Sequence, residues 1–321
     1  MATGAPSIAL RLAYRGPLAL APLRPTLAAH AIGGVERIEV DGGHLRVVDA
    51  PSGPAVVRLE LDPGAEVVTA PLAATFRLSA LTDLMPVMTR VRRWLDLDAD
   101  PALVAEHLGT DPVLGPLVAA RPGLRVLGSL DGAEVAVCAV LGQQVSVAVA
   151  RVFQTRIAAV FGSTVGGAGV DGPVHVPGRD GGVETALRTF PRPEVLAAAG
   201  PEAIRDAANL TQARARTVHT LATAIADGLT LEPGVDPATT RERLLALRGI
   251  GPWTADYVNL RALRDPDAFL PGDLVLRKAL ARHTGAALKG LTPAVAENLS
   301  LAWRPWRSYA LQHLWTEEVY A

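Results

Sequence analysis

The stretch LRGIGPWTADY, residues 247–257, lies between two segments whose apolar residues recur at helical spacing, and FLPGD, residues 269–273, follows it. Extended in both directions, RLLAL-RGIG-PWTADYVNLRAL predicts a helix, a short glycine hairpin and a second helix. Gly249 and Gly251 permit positive φ and a close backbone approach. Pro252 suits the first turn of the second helix, where its missing N–H costs nothing. The unpaired N–H groups at that helix start favour an anion, and a nucleic-acid phosphate is one candidate. Ile250 is expected to plug inward between the helices. A plain αα-hairpin, whose glycines only allow a tight turn, fits the same residues. Trp253 and Tyr257 are spaced i, i+4 on one helical face. Aromatics make up only 4% of the chain, yet Trp303, Trp306, Tyr309 and Trp315 also gather in its C-terminal third. Asp273 follows Pro-Gly at the start of a further helix. That position suits an N-cap, and it equally suits a carboxylate that stabilises a developing cation or orients a water.

The totals bound the chemistry. At 321 residues the chain has room for two or three domains. With 49% hydrophobic and 20% charged residues its composition is that of a globular protein. The net charge of −1 advertises no global field for a polyanion, although from Arg241 onward eleven Lys/Arg face eight Asp/Glu. Cys138 is the single cysteine, which excludes an intrachain disulfide framework and a cysteine-held cluster. In the apolar run VAVCAVL it reads as a buried, inert thiol. The first residues lack the pattern of a signal peptide, and no apolar run approaches the roughly 18 residues of a membrane span. A cytoplasmic, nucleoid-associated protein is expected, with no membrane partner.

The fold class expected is α+β. Residues 1–83 read as a small domain with an antiparallel sheet: residues 35–49 alternate around a turn, residues 55–62 alternate again, and residues 24–34 are helix-like. From about Thr82 the period turns helical. Residues 84–110 with 266–321 are expected to form one helical lobe, carrying Asp273. Residues 111–265 form the other, with the helix-hairpin-helix at 240–263. Asp131 and Glu134 have a capping-box spacing, Gly142 breaks the helix that follows, and Ser146 caps the next one. Thr239 and Glu242 repeat the capping-box spacing. Residues 181–190, GGVETALRTF, read as a helical run, and residues 293–318 close the chain as helix. The glycine-rich stretch 162–182 contains Gly167, Gly169 and Gly172 in a G-x-G-x-x-G pattern. A dinucleotide loop needs a strand before it and a helix after it; a helical segment precedes it here, so a flexible surface insertion is expected. His107, His175, His219 and His313 are scattered and read as structural or exposed.

LRGIGPWTADY and FLPGD together resemble the helix-hairpin-helix DNA glycosylases. VLGQQVSVAVA (140–150), ARPGLRVLG (120–128) and WRPWRSYALQHLW (303–315) narrow the resemblance to the bacterial 3-methyladenine DNA glycosylase II type. It covers roughly residues 84–318. It implies a base-flipping hydrolase for alkylated bases in double-stranded DNA, of the 3-methyladenine and 7-methylguanine type, acting as a monomer. It further implies Asp273 as the catalytic carboxylate and Trp253, Tyr257, Trp315 and Gln143 as the base-binding cleft. Arg248, Gly249, Ile250 and Gly251 would hold a DNA phosphate. Backbone carbonyls of Leu245, Leu247 and Ile250 would hold a sodium or potassium ion, and no cofactor is required. Bifunctional relatives carry a Schiff-base lysine where this chain has Trp253, so a monofunctional enzyme is implied. Val126-Leu127 stands where the family has its duplex wedge, and Leu274 stands where an aromatic often follows the aspartate. A non-catalytic damage-binding protein, an oxidised- or deaminated-purine glycosylase and a helical interaction protein are the rival readings.

Overall fold

A computed structural model describes residues 6–166, 174–176 and 183–320. Its N-terminal sheet is built on strict alternation. Strands β1 (Ser7–Leu12), β3 (Glu36–Ile38), β4 (Gly43–Ala50), β5 (Gly53–Glu60) and β7 (Leu72–Arg77) form an antiparallel sheet in the order β1-β7-β5-β4-β3. Short strands β2 (Leu18–Ala19) and β6 (Val67–Val68) pair beside it. In the register Val47↔Val56 and Val48↔Ala55, successive side chains point to opposite faces. Leu45, Val47 and Val56 enter one core with the helical body. Val48, Ala50, Ala55, Val57 and Leu59 enter another, beneath helices α1 (Leu20–His30) and α2 (Leu84–Trp94). Both faces of the sheet are therefore covered, which fixes its register against a one-residue slip.

The helical body follows as α3 (Pro101–Leu108), α4 (Leu114–Ala120), α5 (Gly132–Leu141), α6 (Val147–Phe161), then strands β8 (Val174–Val176) and β9 (Val183–Thr185). Helices α7 (Pro193–Ala208), α8 (Gln212–Ala226), α9 (Pro237–Leu245), α10 (Pro252–Val258), α11 (Leu274–Thr284), α12 (Pro293–Ser300) and α13 (Arg307–Tyr320) complete it. The caps at the α5–α6 break form as expected: Asp131 accepts from the Glu134 N–H at 3.0 Å, and Ser146 from that of Val149 at 3.3 Å.

Four expectations are corrected. Helix α9 is capped not by Thr239 but by Asp236, which accepts the Thr239 N–H at 2.7 Å, so the helix starts three residues earlier. Residues 183–185 are a strand, not a helix, and pair antiparallel with β8; the insertion thus carries a hairpin, while Gly167, Gly169 and Gly172 lie outside the described residues. The closing run is interrupted after Ser300 by a 3-10 turn, Leu301–Trp303, and Pro305. The lobe boundaries also move. Leu114, Leu117 and Val118 of α4 pack with α3, α11 and α13 in the core nearest Asp273, rather than with the hairpin lobe. The N-terminal core continues through Val87, Val91 and Trp94 to Leu97, past the boundary drawn at residue 83. Apolar side chains chose these partners in three dimensions, where chain order gives no guide. Among the described residues no helix is long and apolar enough to cross a membrane.

Candidate active site

Helices α9 and α10 meet through residues 246–251. Gly249 sits at φ +93°, and a Cβ there would lie 2.1 Å from Thr217 Oγ1. Only glycine serves this position. The Leu247 carbonyl accepts the Ile250 N–H at 3.1 Å. Ile250 points inward and is buried with Leu244, Ala255 and Val258. Arg248 and Gly249 remain exposed, and a Cβ on Gly251 would meet no atom within 4 Å. The hairpin therefore presents an open backbone edge to solvent. A carbonyl oxygen has two lone pairs, so Leu247 keeps one beyond its bond to Ile250.

Asp273 caps α11, and its carboxylate accepts three hydrogen bonds. Oδ1 accepts the Leu276 N–H at 2.9 Å and the Trp315 indole N–H at 2.9 Å. Oδ2 accepts the Trp253 indole N–H at 2.8 Å. The residue is 9% exposed and lines a cleft of about 430 Å³. A cap needs only the first of these bonds. The two indoles hold the carboxylate in one orientation within the cleft, at a helix end that favours negative charge.

Trp253 and Tyr257 stack with centroids 5.0 Å apart and planes 11° off parallel. Above them lies a residue the sequence reading passed over. Arg261 is buried, donates to the Leu127 carbonyl at 2.6 Å, and sits 5.6 Å from the Tyr257 ring and 5.5 Å from the Trp315 ring. The signal was present, because Trp253, Tyr257 and Arg261 run i, i+4, i+8 on one face. A π-helical turn, Asn259–Leu263, carries the arginine there.

Three expected placements differ. Gln143 does not line the cleft. Its amide donates to the Gly249 carbonyl at 3.1 Å and to Thr254 Oγ1 at 3.0 Å, bracing the hairpin, and Gly142 lines the cleft instead. Val126 and Leu127 are each 8% exposed and are absorbed by two different cores. Neither side chain stands free as a wedge. Leu274 is 53% exposed and turned outward, and its neighbour Val275 forms that wall.

The opposite wall of the cleft comes from the N-terminal sheet and α1. His30, Glu36 and Arg46 line it with Trp94, Glu134 and Cys138. His30 opens into the cleft while protein surrounds it; that enclosure, with the positive charge of Arg261, lowers its pKa to about 4. Glu36 Oε2 lies 2.8 Å from His44 Nε2, and Arg46 is paired with Glu134. Burial pushes the Cys138 thiol well up, in keeping with an inert group. His219 bonds the Ala197 carbonyl at 3.0 Å, and His313 is buried.

Comparison with known proteins agrees with this architecture. Residues 9–131 match the model of the AlkA N-terminal domain, and residues 137–305 match that of the HhH-GPD superfamily base excision DNA repair proteins. The chain is 41% identical over 313 residues to a Mycobacterium tuberculosis protein described as a probable bifunctional transcriptional activator/DNA repair enzyme AlkA. That alignment takes in 97% of this chain and 57% of the relative, so the chain spans little more than half of its length. It is 34% identical over 251 residues to the DNA-3-methyladenine glycosylase 2 of Escherichia coli, covering 76% of this chain and 77% of that one. The structure of a 3-methyladenine DNA-glycosylase from Archaeoglobus fulgidus superposes with a TM-score of 0.78 at 19% identity, over 97% and 98% of the two chains. At that identity the superposition speaks for the fold alone.

Proposed function

The chain belongs to the HhH-GPD superfamily of base excision DNA repair proteins, and from that membership we propose that it is a monofunctional DNA glycosylase for alkylated bases in duplex DNA. The observation that carries the proposal is Asp273: a carboxylate in an aromatic-walled cleft, accepting two indole N–H groups beyond its cap bond. The bond to be cut is hidden in the stacked duplex, so the nucleotide must be flipped out to reach such a cleft. The exposed edge Arg248–Gly251 supplies backbone N–H groups for a phosphate beside the flipped nucleotide. A sodium or potassium ion held by the carbonyls of Leu245, Leu247 and Ile250 would add positive charge at that contact. The enzyme acts as a monomer on double-stranded DNA.

In the reaction the C1′–N bond breaks and its electron pair leaves with the base. An N-alkylated purine that began as a cation departs neutral, so no general acid is needed. The sugar becomes oxocarbenium-like, and the Asp273 carboxylate stabilises that charge. Water adds its oxygen to C1′ and gives up a proton, leaving an abasic site. The Arg261 guanidinium lies over the Tyr257 and Trp315 rings, so a cation already occupies one face of each. The incoming base is matched to the arginine and the aspartate together.

Two results follow at this site. Trp253→Phe keeps the stack on Tyr257 but removes one donor from Asp273. A hydrogen bond to a charged group contributes about 1.5–3 kcal/mol, so single-turnover base release should fall about tenfold or more, with duplex affinity retained. An unchanged rate would show that the indole only fills space. Secondly, the chain has Trp253 where a Schiff-base lysine would be needed, and tryptophan offers no amine nucleophile. Borohydride added during turnover on methylated duplex should trap no protein–DNA adduct, and strands should break only on later alkali treatment. A trapped adduct would contradict the monofunctional assignment.

A further inference from the structure

Gln143 lies outside the cleft lining, at the place where the hairpin, α10 and the α5–α6 break meet. An amide nitrogen has two hydrogens, and Gln143 Nε2 has two acceptors, the Gly249 carbonyl at 3.1 Å and Thr254 Oγ1 at 3.0 Å. The Gly249 carbonyl and the Ile250 N–H belong to one planar peptide unit. That N–H donates to the Leu247 carbonyl at 3.1 Å, so the unit in the middle of the exposed edge Arg248–Gly251 is held at both ends. Thr254 is buried and follows Trp253 on α10, and Trp253 donates to Asp273 Oδ2 at 2.8 Å. Gln143 is itself held. Arg214 of α8 donates through Nη2 to the Gln143 carbonyl, with its guanidinium 5.5 Å from the centre of the Phe153 ring. The next residue, Gln144, sits at φ +55°, a left-handed conformation that costs any residue with a Cβ and persists only where its surroundings impose it. A helix break alone needs no such brace, because Ser146 already caps α6.

We propose that Gln143, steadied by Arg214, is a positioning residue that ties the hairpin's grip on a DNA phosphate to the placement of Trp253 against Asp273. The inference rests on the glycosylase function proposed above. One short amide side chain is bonded both to the edge that meets the backbone and to the helical turn that carries an Asp273 donor. The Gly249 carbonyl cannot shift without breaking its bond to Gln143 or pulling on Thr254. The residue touches neither the base nor the bond that breaks. Its effect on binding runs through Gly249, and its effect on release through Trp253. A misplacement of about 1 Å near a reacting centre can cost about a hundredfold in rate, so a brace remote from the chemistry has a measurable effect.

The test uses Gln143→Met, which keeps the unbranched shape and removes both donors. Two quantities are read: the dissociation constant for an abasic-analogue duplex, and the single-turnover release of 7-methylguanine at saturating enzyme. One hydrogen bond between neutral groups is worth about a three- to tenfold change, and Gln143 has one such bond towards each readout. Binding should weaken and release should slow, each by about that factor. Release at saturating enzyme is first-order and unmoved by a smaller folded fraction, and stoichiometric titration gives the active concentration for binding. In the Trp253→Phe background the same substitution should slow release by less than it does in the wild type, because the contact it acts through is gone. Arg214→Gln should weaken binding and slow release with the salt dependence of affinity unchanged; a shallower dependence would make Arg214 a phosphate contact and overturn its part. Should Gln143→Met not fold, Gln143→Asn, which draws the amide back by one methylene, should give the same two losses. Both readouts unchanged, with the wild type active, overturns the inference alone. Weaker binding with release untouched, or additive losses in the double variant, overturns the link to Asp273. No release by the wild type overturns the glycosylase function, and the inference with it.

Discussion

Asp273→Asn should lower single-turnover base release from methylated duplex DNA by about a thousandfold, with duplex affinity retained and the melting temperature lowered only by the loss of one indole acceptor. The size follows from the cost of removing one preorganised electrostatic group that faces charge developing in the transition state. Asparagine separates the two roles of this residue. It caps helices as well as aspartate does, so the Leu276 N–H keeps its acceptor and α11 keeps its start. What disappears is the negative charge facing the sugar, together with the acceptor of the Trp253 indole N–H, which then meets the amide NH2. Asp273→Ala would blur the comparison, since it also removes the cap, at about 1 kcal/mol, and strands both indole N–H groups. Rates and melting curves of the asparagine variant separate the possibilities. A slow, well-folded, DNA-binding variant marks a catalytic carboxylate; an active one would reduce Asp273 to a cap.

The second large effect is expected at Gly249. Alanine there must adopt φ +93° and place its Cβ 2.1 Å from Thr217 Oγ1. Thr217 cannot easily give way: it is buried on α8 and donates to the Ala213 carbonyl at 3.0 Å. The left-handed backbone alone costs about 1–2 kcal/mol, and relieving the collision pushes the hairpin away from α8. Duplex affinity should drop about tenfold or more, and the melting temperature should fall. Adding Thr217→Ala removes the collision but not the φ strain. The pair should therefore be non-additive, with partial recovery of binding. Gel-shift titrations on abasic-analogue duplexes measure this without interference from turnover. Full affinity in the single variant would show that the hairpin backbone does not touch DNA.

The legible and illegible parts of the chain divide along a physical line. The hairpin was legible because Gly249, Ile250 and Pro252 each meet a local backbone requirement. Asp273 was legible as a helix start for the same reason. The aromatic face of α10 followed from i, i+4 spacing, and one more step would have reached Arg261. What local chemistry does not encode is convergence. Trp253 and Trp315 are 62 positions apart in the sequence, yet both donate to one carboxylate. The sheet's part in the cleft was hidden for a similar reason. Glu36 and Arg46 sit directly opposite one another in the β3–β4 register, but alternation reveals which residues share a face and not what that face meets. Residues 183–185 misled because a short run such as VET satisfies helix and strand patterns alike, and pairing with β8 decided the outcome. Val126 and Leu127 were placed by resemblance to an exposed wedge, whereas packing drew them into two cores.

The most direct measurement is base release by the wild-type chain itself: incubate it with duplex DNA methylated by a simple alkylating agent, and identify the freed bases by mass. Free 3-methyladenine and 7-methylguanine should appear, together with abasic sites that break only under alkali. A folded protein that binds the duplex yet frees no base, from methylated or from deaminated or oxidised DNA, would contradict a glycosylase function.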